Sequence, residues 1–394
     1  MPSDSPFFLT RVECPICRTI NEFETVRMGA YVEEGRDTDF CPTGINWRIP
    51  RYQAYNPLAF FIAVCSNCYY ARELTSNFKD WKNDHTYRTY RLKTIKEKHL
   101  DQLAMADSFV KKIGEAIDLT RYPNESAILK LHLAIFDEQL SEHYNKLDIG
   151  RFYLRIGWVF RDLERRGNPQ QTYLHGLMID LETNCQTLKE FREKLEDQVD
   201  AFSQHLVSHF DTDDVTAKLK SQMYSYRDRF DEVVTYIRKA LVQVQGEFDK
   251  IDNLLSEYKS TVLGVDSPDT ISAFWKYPSF TDFLLDLKGK WSAVVTSEHE
   301  ALKKAVHFYK EAFVEGRNIA PGNQQIQASY LIAELSRRIG DYDEARQYFN
   351  SAIRHGQEFI YKNRHDQTQT VLARKILELA IEQGRSNMAA MQTA

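Results

Sequence analysis

The sequence has little of what marks membrane, secreted or nucleic-acid-binding proteins. Its longest apolar run, residues 57–64, is far shorter than the roughly 18–20 residues that a membrane-crossing helix needs, so no membrane insertion is expected. The net charge of −5 disfavours binding to nucleic acid. The chain contains only six cysteines and begins without the basic segment of a signal peptide, so we expect a reducing, cytoplasmic location rather than a disulfide scaffold.

Motifs of several large enzyme classes are also missing. The sequence has no glycine-rich phosphate-binding loop, no serine nucleophile elbow and no His-Glu-x-x-His metal motif. What remains is an ordinary globular composition, with 43% hydrophobic and 27% charged residues. A length of 394 residues suggests two or three structural units.

Four of the six cysteines form two Cys-x-x-Cys pairs, and these pairs specify chemistry. Each pair sits in a tight turn that can direct two thiolates at one ion, and four thiolates complete the tetrahedral shell of a closed zinc site. The alternative is a redox pair, which requires a pair that opens a helix inside a βαβ unit, a context absent here. The sequence therefore predicts one structural Zn²⁺ ion, bound by Cys14, Cys17, Cys65 and Cys68.

The cysteine pairs lie in a segment that differs from the rest of the chain. Residues 1–70 hold six of the 11 prolines and show no helical period. Short β-type runs at residues 7–9 and 58–64 precede the two pairs, as strands do in zinc ribbons. We therefore predict a zinc-ribbon-like β module over residues 1–82, with an inserted loop between the pairs.

Three residues of the inserted loop are candidates for a further site. Cys41 is a core residue, a metal ligand that replaces one of the four cysteines, or a redox-active thiol. Asp37 and Asp39 have two possible roles. They either accept hydrogen bonds from backbone N–H groups or form ion pairs with a neighbouring arginine, or they belong to a functional site with Cys41.

The motifs of this module resemble a known family. They are Cys-Pro-x-Cys at residues 14–17, Arg-Asp-x-Asp-Phe-Cys at 36–41, Asn-Pro-Leu at 56–58, and a second pair followed by an aromatic residue. This set is similar to the bacterial family catalogued as domain of unknown function 2225. The resemblance covers mainly residues 10–80, with a weaker helical similarity at 151–158, and the segment after Pro169 departs from it. It implies a cysteine-rich module followed by tetratricopeptide-like helices, and it implies no reaction.

The pattern beyond residue 83 is helical. Residues 83–168 predict the first part of a helical-repeat body, with Asn124 as one N-cap and a break at residues 167–169. Residues 264–385 predict its second part, where Gly340-Asp341-Tyr342-Asp343-Glu344-Ala345 resembles the second half of a tetratricopeptide repeat. Residues 386–394 predict a flexible tail.

The segment between these parts has a seven-residue period. In residues 169–263 apolar side chains recur at alternating spacings of four and three, most regularly in the second half, which is typical of a coiled coil. Turn and N-cap residues at 209–214 divide it into two arms, so we predict an inserted antiparallel coiled-coil hairpin. Its seam is wider than one partner helix requires, and the residues predicted to bind a partner are Ile237, Val244, Phe248, Ile251 and Tyr258.

The sequence thus predicts a mainly α fold with a zinc-ribbon-like module, a tetratricopeptide-like body and an inserted hairpin. The function it favours is a non-enzymatic scaffold or adaptor that binds other proteins, with homodimerisation through the coiled coil as one mode. Two alternatives remain open. One is a nucleic-acid-associated regulator, because zinc ribbons often serve there, and the other is an enzyme or redox protein that uses Cys41, Asp37 and Asp39.

Overall fold

A computed structural model of the chain describes residues 5–53, 55–120, 122–166, 169–210, 217–263, 277–316 and 319–393. Contacts divide the chain into two compact units. One comprises Met1–Gly167 with Phe280–Ala394, and the other is Asn168–Ser279. The chain is mainly helical, with small antiparallel β hairpins near its N-terminal end, as the sequence predicts. None of the described helices has both the length and the apolar character needed to cross a bilayer.

Three two-stranded antiparallel sheets form the N-terminal part of the first unit. Strand β1 (Phe7–Glu13) pairs with β2 (Ile20–Val26), β3 (Tyr31–Arg36) with β4 (Pro42–Trp47), and β5 (Ile62–Val64) with β6 (Ala71–Glu73). The strand expected from residue 58 begins only at Ile62. Pro57–Phe60 is a 3-10 turn, because the Asn56 side chain accepts the Leu58 N–H and caps it.

Among the described residues of the first unit, five α-helices follow these strands, and a π-helix at Tyr87–Arg91 leads into the second of them. They are α1 (Ser76–Lys79), α2 (Leu92–Ala104), α3 (Phe109–Glu115), α4 (Pro123–Gln139) and α5 (Lys146–Arg166). Helix α4 is central and buries residues on nearly every face. The predicted N-cap is wrong by two residues, because Pro123 takes the first helical position and Tyr122 precedes it. Asn124 instead accepts the backbone N–H of Asn56, at 3.0 Å, and so joins α4 to the cysteine-bearing part.

Five more helices complete this unit. They are α8 (Phe280–Lys290), α9 (Glu298–Glu315), α10 (Asn323–Arg338), α11 (Tyr342–Lys362) and α12 (Gln367–Thr393). Successive helices from α9 to α12 pack on one another, and small and aromatic side chains alternate in the core of the last three. The residues 386–393, predicted as a tail, belong to α12, because buried Asn387 donates a hydrogen bond to the Tyr342 carbonyl oxygen at 2.9 Å.

Two long helices form the second unit, α6 (Pro169–Phe210) and α7 (Ala217–Leu263). They run antiparallel, because Lys189 pairs with Asp252 while Asp200, further along α6, pairs with Arg238. Of the predicted turn residues 209–214, the first two belong to α6, and the others lie outside the described residues, as do residues 215–216 and 264–276. On α7 the side chains that are buried against α6 are spaced by seven residues, at Val234, Leu241, Phe248 and Leu255.

Candidate functional site

The two cysteine pairs occupy turns of the same construction. In each turn the residue after the second cysteine has a left-handed backbone, with φ of 68° at Arg18 and 62° at Tyr69. The Arg18 N–H donates to the Cys14 carbonyl oxygen and the Tyr69 N–H to that of Cys65, both at 3.0 Å. Because the backbone curls around both pairs, each turn directs two sulfur atoms to one side.

The two turns bring Cys14, Cys17, Cys65 and Cys68 together, with all four Sγ atoms within 4.8 Å of one another. The Sγ atoms of Cys14 and Cys68 are 3.6 Å apart, and those of Cys17 and Cys65 are 3.5 Å apart. Four sulfur ligands at ~2.3 Å in a tetrahedron would be ~3.8 Å apart, so the spacing fits one metal ion. Four thiolates fill such a shell and leave no open position for water or substrate.

The four thiols interact strongly, so the pKa values of Cys14 and Cys68 are raised while those of Cys17 and Cys65 are lowered. The hydrogen bond between its thiol and Cys65 raises the pKa of Cys14 to about 12, because the paired thiol is stabilised over the thiolate. Without a cation, several adjacent thiolates would repel one another in a buried site. A bound metal ion removes that penalty, because it stabilises the ionised sulfurs directly.

Polar side chains outside the cysteine pairs hold the second pair in place. Asn21 on β2 donates from Nδ2 to Cys65 Sγ at 3.5 Å, and its Oδ1 accepts the backbone N–H of Ser66 at 2.9 Å. Asn21 is buried, so these contacts fix the orientation of one ligand relative to the first sheet. Partners of this kind orient metal ligands and tune their basicity.

A buried histidine and aspartate link the cluster to the helices. His99 Nε2 on α2 lies 2.8 Å from the carbonyl oxygen of Cys68, and its Nδ1 lies 2.6 Å from Asp137 Oδ1. Both partners are acceptors, so with Asp137 ionised the ring is an imidazolium. Burial alone would lower the pKa of His99, but the charge of Asp137 and its hydrogen bond outweigh burial and raise it. Asp137 also accepts the Ala71 N–H on β6 at 2.6 Å.

The loop between β3 and β4 contains the other candidate residues, and its Asp39 is fully buried. The Asp39 carboxylate accepts hydrogen bonds from the Arg161 guanidinium, at 2.8 and 3.2 Å, and from Trp158 Nε1, at 3.2 Å. It also accepts the Cys41 N–H, at 3.2 Å. A carboxylate with four donors is a structural anchor, because no lone pair is left to act on a substrate.

Asp37 extends this anchor to two further helices. Its carboxylate meets Arg161 of α5 at 3.1 Å and Arg338 of α10 at 2.7 Å, and Arg161 also donates to Glu298 of α9. Partial burial alone would raise the pKa of Asp37. The Thr38 N–H and the Arg338 guanidinium outweigh burial and hold that pKa below its usual value. The two aspartates therefore join the β3–β4 loop to three helices.

Cys41 lies beside these aspartates and is separate from the four-cysteine cluster. Its side chain is buried, and burial, with the charge of Asp39 as a smaller contribution, raises the pKa of Cys41 to about 12. A thiol with this pKa is almost fully protonated at neutral pH and is a weak nucleophile. Cys41 thus has the burial of a core residue, and it also lines a cavity of about 370 Å³ together with Trp158 and Arg161.

The same loop covers one face of α10. The Tyr330 hydroxyl donates to the Thr38 carbonyl oxygen at 2.8 Å, and the Phe40 and Tyr330 rings are 5.5 Å apart. Phe40 has a left-handed backbone, with φ of 67°, which turns its ring toward the helices. A helical face that could receive a foreign peptide is thus contacted by a segment of the chain itself.

The residues predicted to bind a partner take different positions on α7. Phe248 is buried against α6, Ile237 and Ile251 are half-buried, and Val244 is 41% exposed. The side chain of Tyr258 lies outside the described residues.

The chain belongs to a bacterial family described as an uncharacterized protein conserved in bacteria (DUF2225), which confirms the resemblance seen in its motifs. The family model matches residues 7–179 and 273–374, more than half of the chain. The two matched segments contain the cysteine cluster and the helices that the β3–β4 loop contacts. The residues between them, 180–272, include most of α6 and all of α7. Comparisons with curated proteins and with solved structures gave no match.

Proposed function

We propose that this protein is a non-enzymatic scaffold, in which a structural zinc ion stabilises the N-terminal part and the α6–α7 hairpin binds another protein. The closed four-thiol cluster supports a structural role for the ion. The ion pairs of Asp37 and Asp39, together with the raised pKa of Cys41, argue against an enzyme that uses these three residues.

Zinc is the ion that we assign to the cluster. Four cysteine sulfurs at tetrahedral spacing suit Zn²⁺, and the two equivalent turns resemble those of a zinc ribbon. When bound, this ion supplies cross-linking rather than reactivity, since all four positions are taken by the protein. Cys14, Cys17, Cys65 and Cys68 would hold it.

For the helices α9 to α12 we propose a tetratricopeptide-like arrangement. Consecutive helices pack on each other, and small residues such as Ala333, Ala345 and Ala352 are buried in the core that they share. The contact of Phe40 with Tyr330 supports one role for this face, which is to hold the chain's own β3–β4 loop. The surface for a foreign protein is therefore better sought on the hairpin.

The hairpin, which we interpret as an antiparallel coiled coil, has a second apolar surface beside its buried seam. The Phe202 and Phe230 rings are 5.1 Å apart, so these residues lie opposite each other and define the register of the two helices. Steps of seven residues from this pair bring Leu195 level with Ile237 and Leu188 level with Val244. We name this surface the outer apolar face and define it by Leu188, Phe191, Leu195 and Phe202 on α6 and Phe230, Ile237, Val244 and Ile251 on α7.

The exposure of this outer apolar face is the observation that carries the proposal. Leu188, Phe191 and Phe202 are 55%, 64% and 53% exposed, although each is large and apolar. The buried seam is correspondingly narrow, since Lys189 of α6 lies over the Phe248 ring at 6.0 Å. Contiguous exposed apolar surface marks sites of protein interaction, and an amphipathic helix fits the groove between two helices.

An aspartate in the outer apolar face should disrupt association. Val244→Asp and Ile251→Asp each place a charge where a partner helix, or a second copy of the chain, would bury it. If the face binds a second copy, light scattering will show a dimer for the unmodified chain and a monomer for both variants. Asn253→Asp is the matched control, because it adds the same charge at an exposed position outside this face.

The same variants test the binding of a different protein. In a pull-down from the native cell, the Val244→Asp variant should fail to capture the same proteins that a chain without residues 170–262 fails to capture. The Asn253→Asp variant should still capture them. A monomeric unmodified chain that captures the same proteins with and without these changes would contradict the proposed function. Circular dichroism on each variant shows whether the hairpin remains helical.

A further inference from the structure

A cavity of about 310 Å³ lies beside the β3–β4 loop, within the first unit. Helices α5, α9, α10 and α12 contribute to its wall together with β3, β4 and the loop between them. Its apolar lining includes Trp158, Tyr309 and Leu331, and Gln327 adds a polar group. The wall combines these apolar side chains with charged groups, and the volume is at the lower end of the usual range for small-molecule sites.

Arg155 of α5 also lines this cavity and makes no ion pair among the described residues, although the charges of Glu73 and Asp148 act on it from nearby. The Nη1 atom is buried and has no hydrogen-bond partner among the described residues. The guanidinium stacks over the Phe61 ring, with 3.8 Å from Cζ to the ring centroid, so one of its faces is covered. Burial, with the neighbouring Arg151 as a smaller contribution, lowers the pKa of Arg155 to about 10. An unpaired cation in this environment is costly unless something else pairs with it.

The other charged groups of the lining do not supply that partner. Arg36 pairs with Glu33, at 3.0 Å, and Arg151 pairs with Asp148, at 2.8 Å. The lining thus holds three arginines and one carboxylate, and that carboxylate is already engaged. The positive excess is centred on Arg155, next to the apolar wall.

We propose that this cavity binds a small organic anion, a carboxylate or a phosphate monoester attached to an apolar group, with Arg155 as the donor to the anionic oxygens. The apolar group would lie against Trp158 and Leu331. At the ~30 Å³ that a water molecule takes in the liquid, the cavity holds about ten non-hydrogen atoms. This site is separate from the hairpin surface and does not depend on the proposed scaffold function.

A second buried arginine provides a control for this inference. Arg72 of β6 also has an Nη1 atom without a partner and stacks over an aromatic ring, that of Tyr87, at 4.4 Å. It lines a different cavity, of about 390 Å³, whose lining has five carboxylates and three arginines. An anion is disfavoured there by the surrounding negative charge, so Arg72→Met should leave anion binding unchanged.

The experiment is a titration of the full chain with 3-phenylpropionate and with phenyl phosphate, followed by ligand-observed NMR. The neutral probe 3-phenylpropanamide has the same apolar body as the first acid without its charge. We expect at least one of the two anions to bind at millimolar concentration or below. If the carboxylate is preferred, the amide should bind about tenfold more weakly than the acid. Arg155→Met should lower the affinity for the anion that binds by about tenfold or more.

A second pair of variants tests the location without removing any charge. Leu372 is 44% exposed at the edge of the cavity, and Leu372→Trp should obstruct it and weaken binding by a similar factor. Val371→Trp is the matched control, because Val371 is equally exposed and does not line the cavity. Binding of only the carboxylate or only the phosphate would identify the group. The inference is overturned if neither anion binds, or if both Arg155→Met and Leu372→Trp bind as tightly as the unmodified chain.

Discussion

Cys14→Ser should abolish zinc binding and unfold the N-terminal part of the first unit. We expect the zinc content to fall from one ion per chain to none, because a hydroxyl does not replace a thiolate in a buried four-sulfur shell. Structural zinc contributes on the order of 10 kcal/mol to folding in small zinc-binding peptides, so the loss should exceed that of any single core substitution. Elemental analysis and titration of the free thiols measure both consequences.

Cys41→Ser is the matched control for this substitution. Cys41 is a buried cysteine of the same region, but it lies outside the cluster. We expect it to retain one zinc ion per chain and to lose only about 1–2 kcal/mol of stability, as for a small buried side chain made more polar. Metal-free protein from a chelator-free preparation, with all four thiols of the cluster freely titratable, would contradict the assigned metal centre.

Asp39→Ala should produce the second large effect, a loss of about 3–5 kcal/mol in the free energy of unfolding. The substitution removes the fully buried partner of Arg161 and leaves part of that guanidinium uncompensated. Urea unfolding can be followed by tryptophan fluorescence, because Trp158 donates to the same carboxylate and reports on its surroundings.

Two comparisons separate this effect from a general loss of charge. Asp107→Ala removes an exposed carboxylate that pairs with Lys290, and it should cost about 1 kcal/mol or less. The double variant Asp39→Ala with Arg161→Met should be less destabilised than the sum of the two single variants, because each alone leaves an unpaired group. An Asp39→Ala protein as stable as the unmodified chain would show that the loop does not anchor the helices.

The four metal ligands could be predicted from the sequence because their chemistry is local. A Cys-x-x-Cys pair fixes its own turn, and two such pairs indicate a shared ion wherever the chain places them. The supporting contacts of Asn21, His99 and Asp137 were not predicted. His99 lies 31 residues beyond Cys68, and no spacing rule connects a helical histidine with a backbone carbonyl group.

The interpretation of the β3–β4 loop was limited by distance along the chain. An ion pair of Asp37 and Asp39 with a neighbouring arginine was among the predicted alternatives, but the arginine beside them, Arg36, pairs with Glu33. Their partners are Arg161 and Arg338, which lie 122 and 301 residues away from Asp39 and Asp37 respectively. Neither arginine occurs in a motif, so their convergence depends on helix packing that local patterns do not encode.

The hairpin shows a third limit of prediction from the sequence. The seven-residue period of α7 identified the apolar positions, but it could not tell which of the two stripes faces α6. Val234, Leu241, Phe248 and Leu255 are buried, while Val244 is exposed. The stripe that is buried depends on α6 as well, where the apolar residues Leu188 and Phe202 are exposed. An expectation based on one helix is incomplete because the seam belongs to both.

Replacement of residues 168–279 by a short Gly/Ser linker tests most directly the central claim that a metal-stabilised body carries a separable binding arm. Residues 168–279 form one of the two compact units of the chain, and the family model matches on both sides of residues 180–272. Scanning calorimetry of this chain should show one cooperative transition near the temperature of the body in the full chain, with one zinc ion retained. A zinc-free chain, or one without a cooperative transition, would contradict the account.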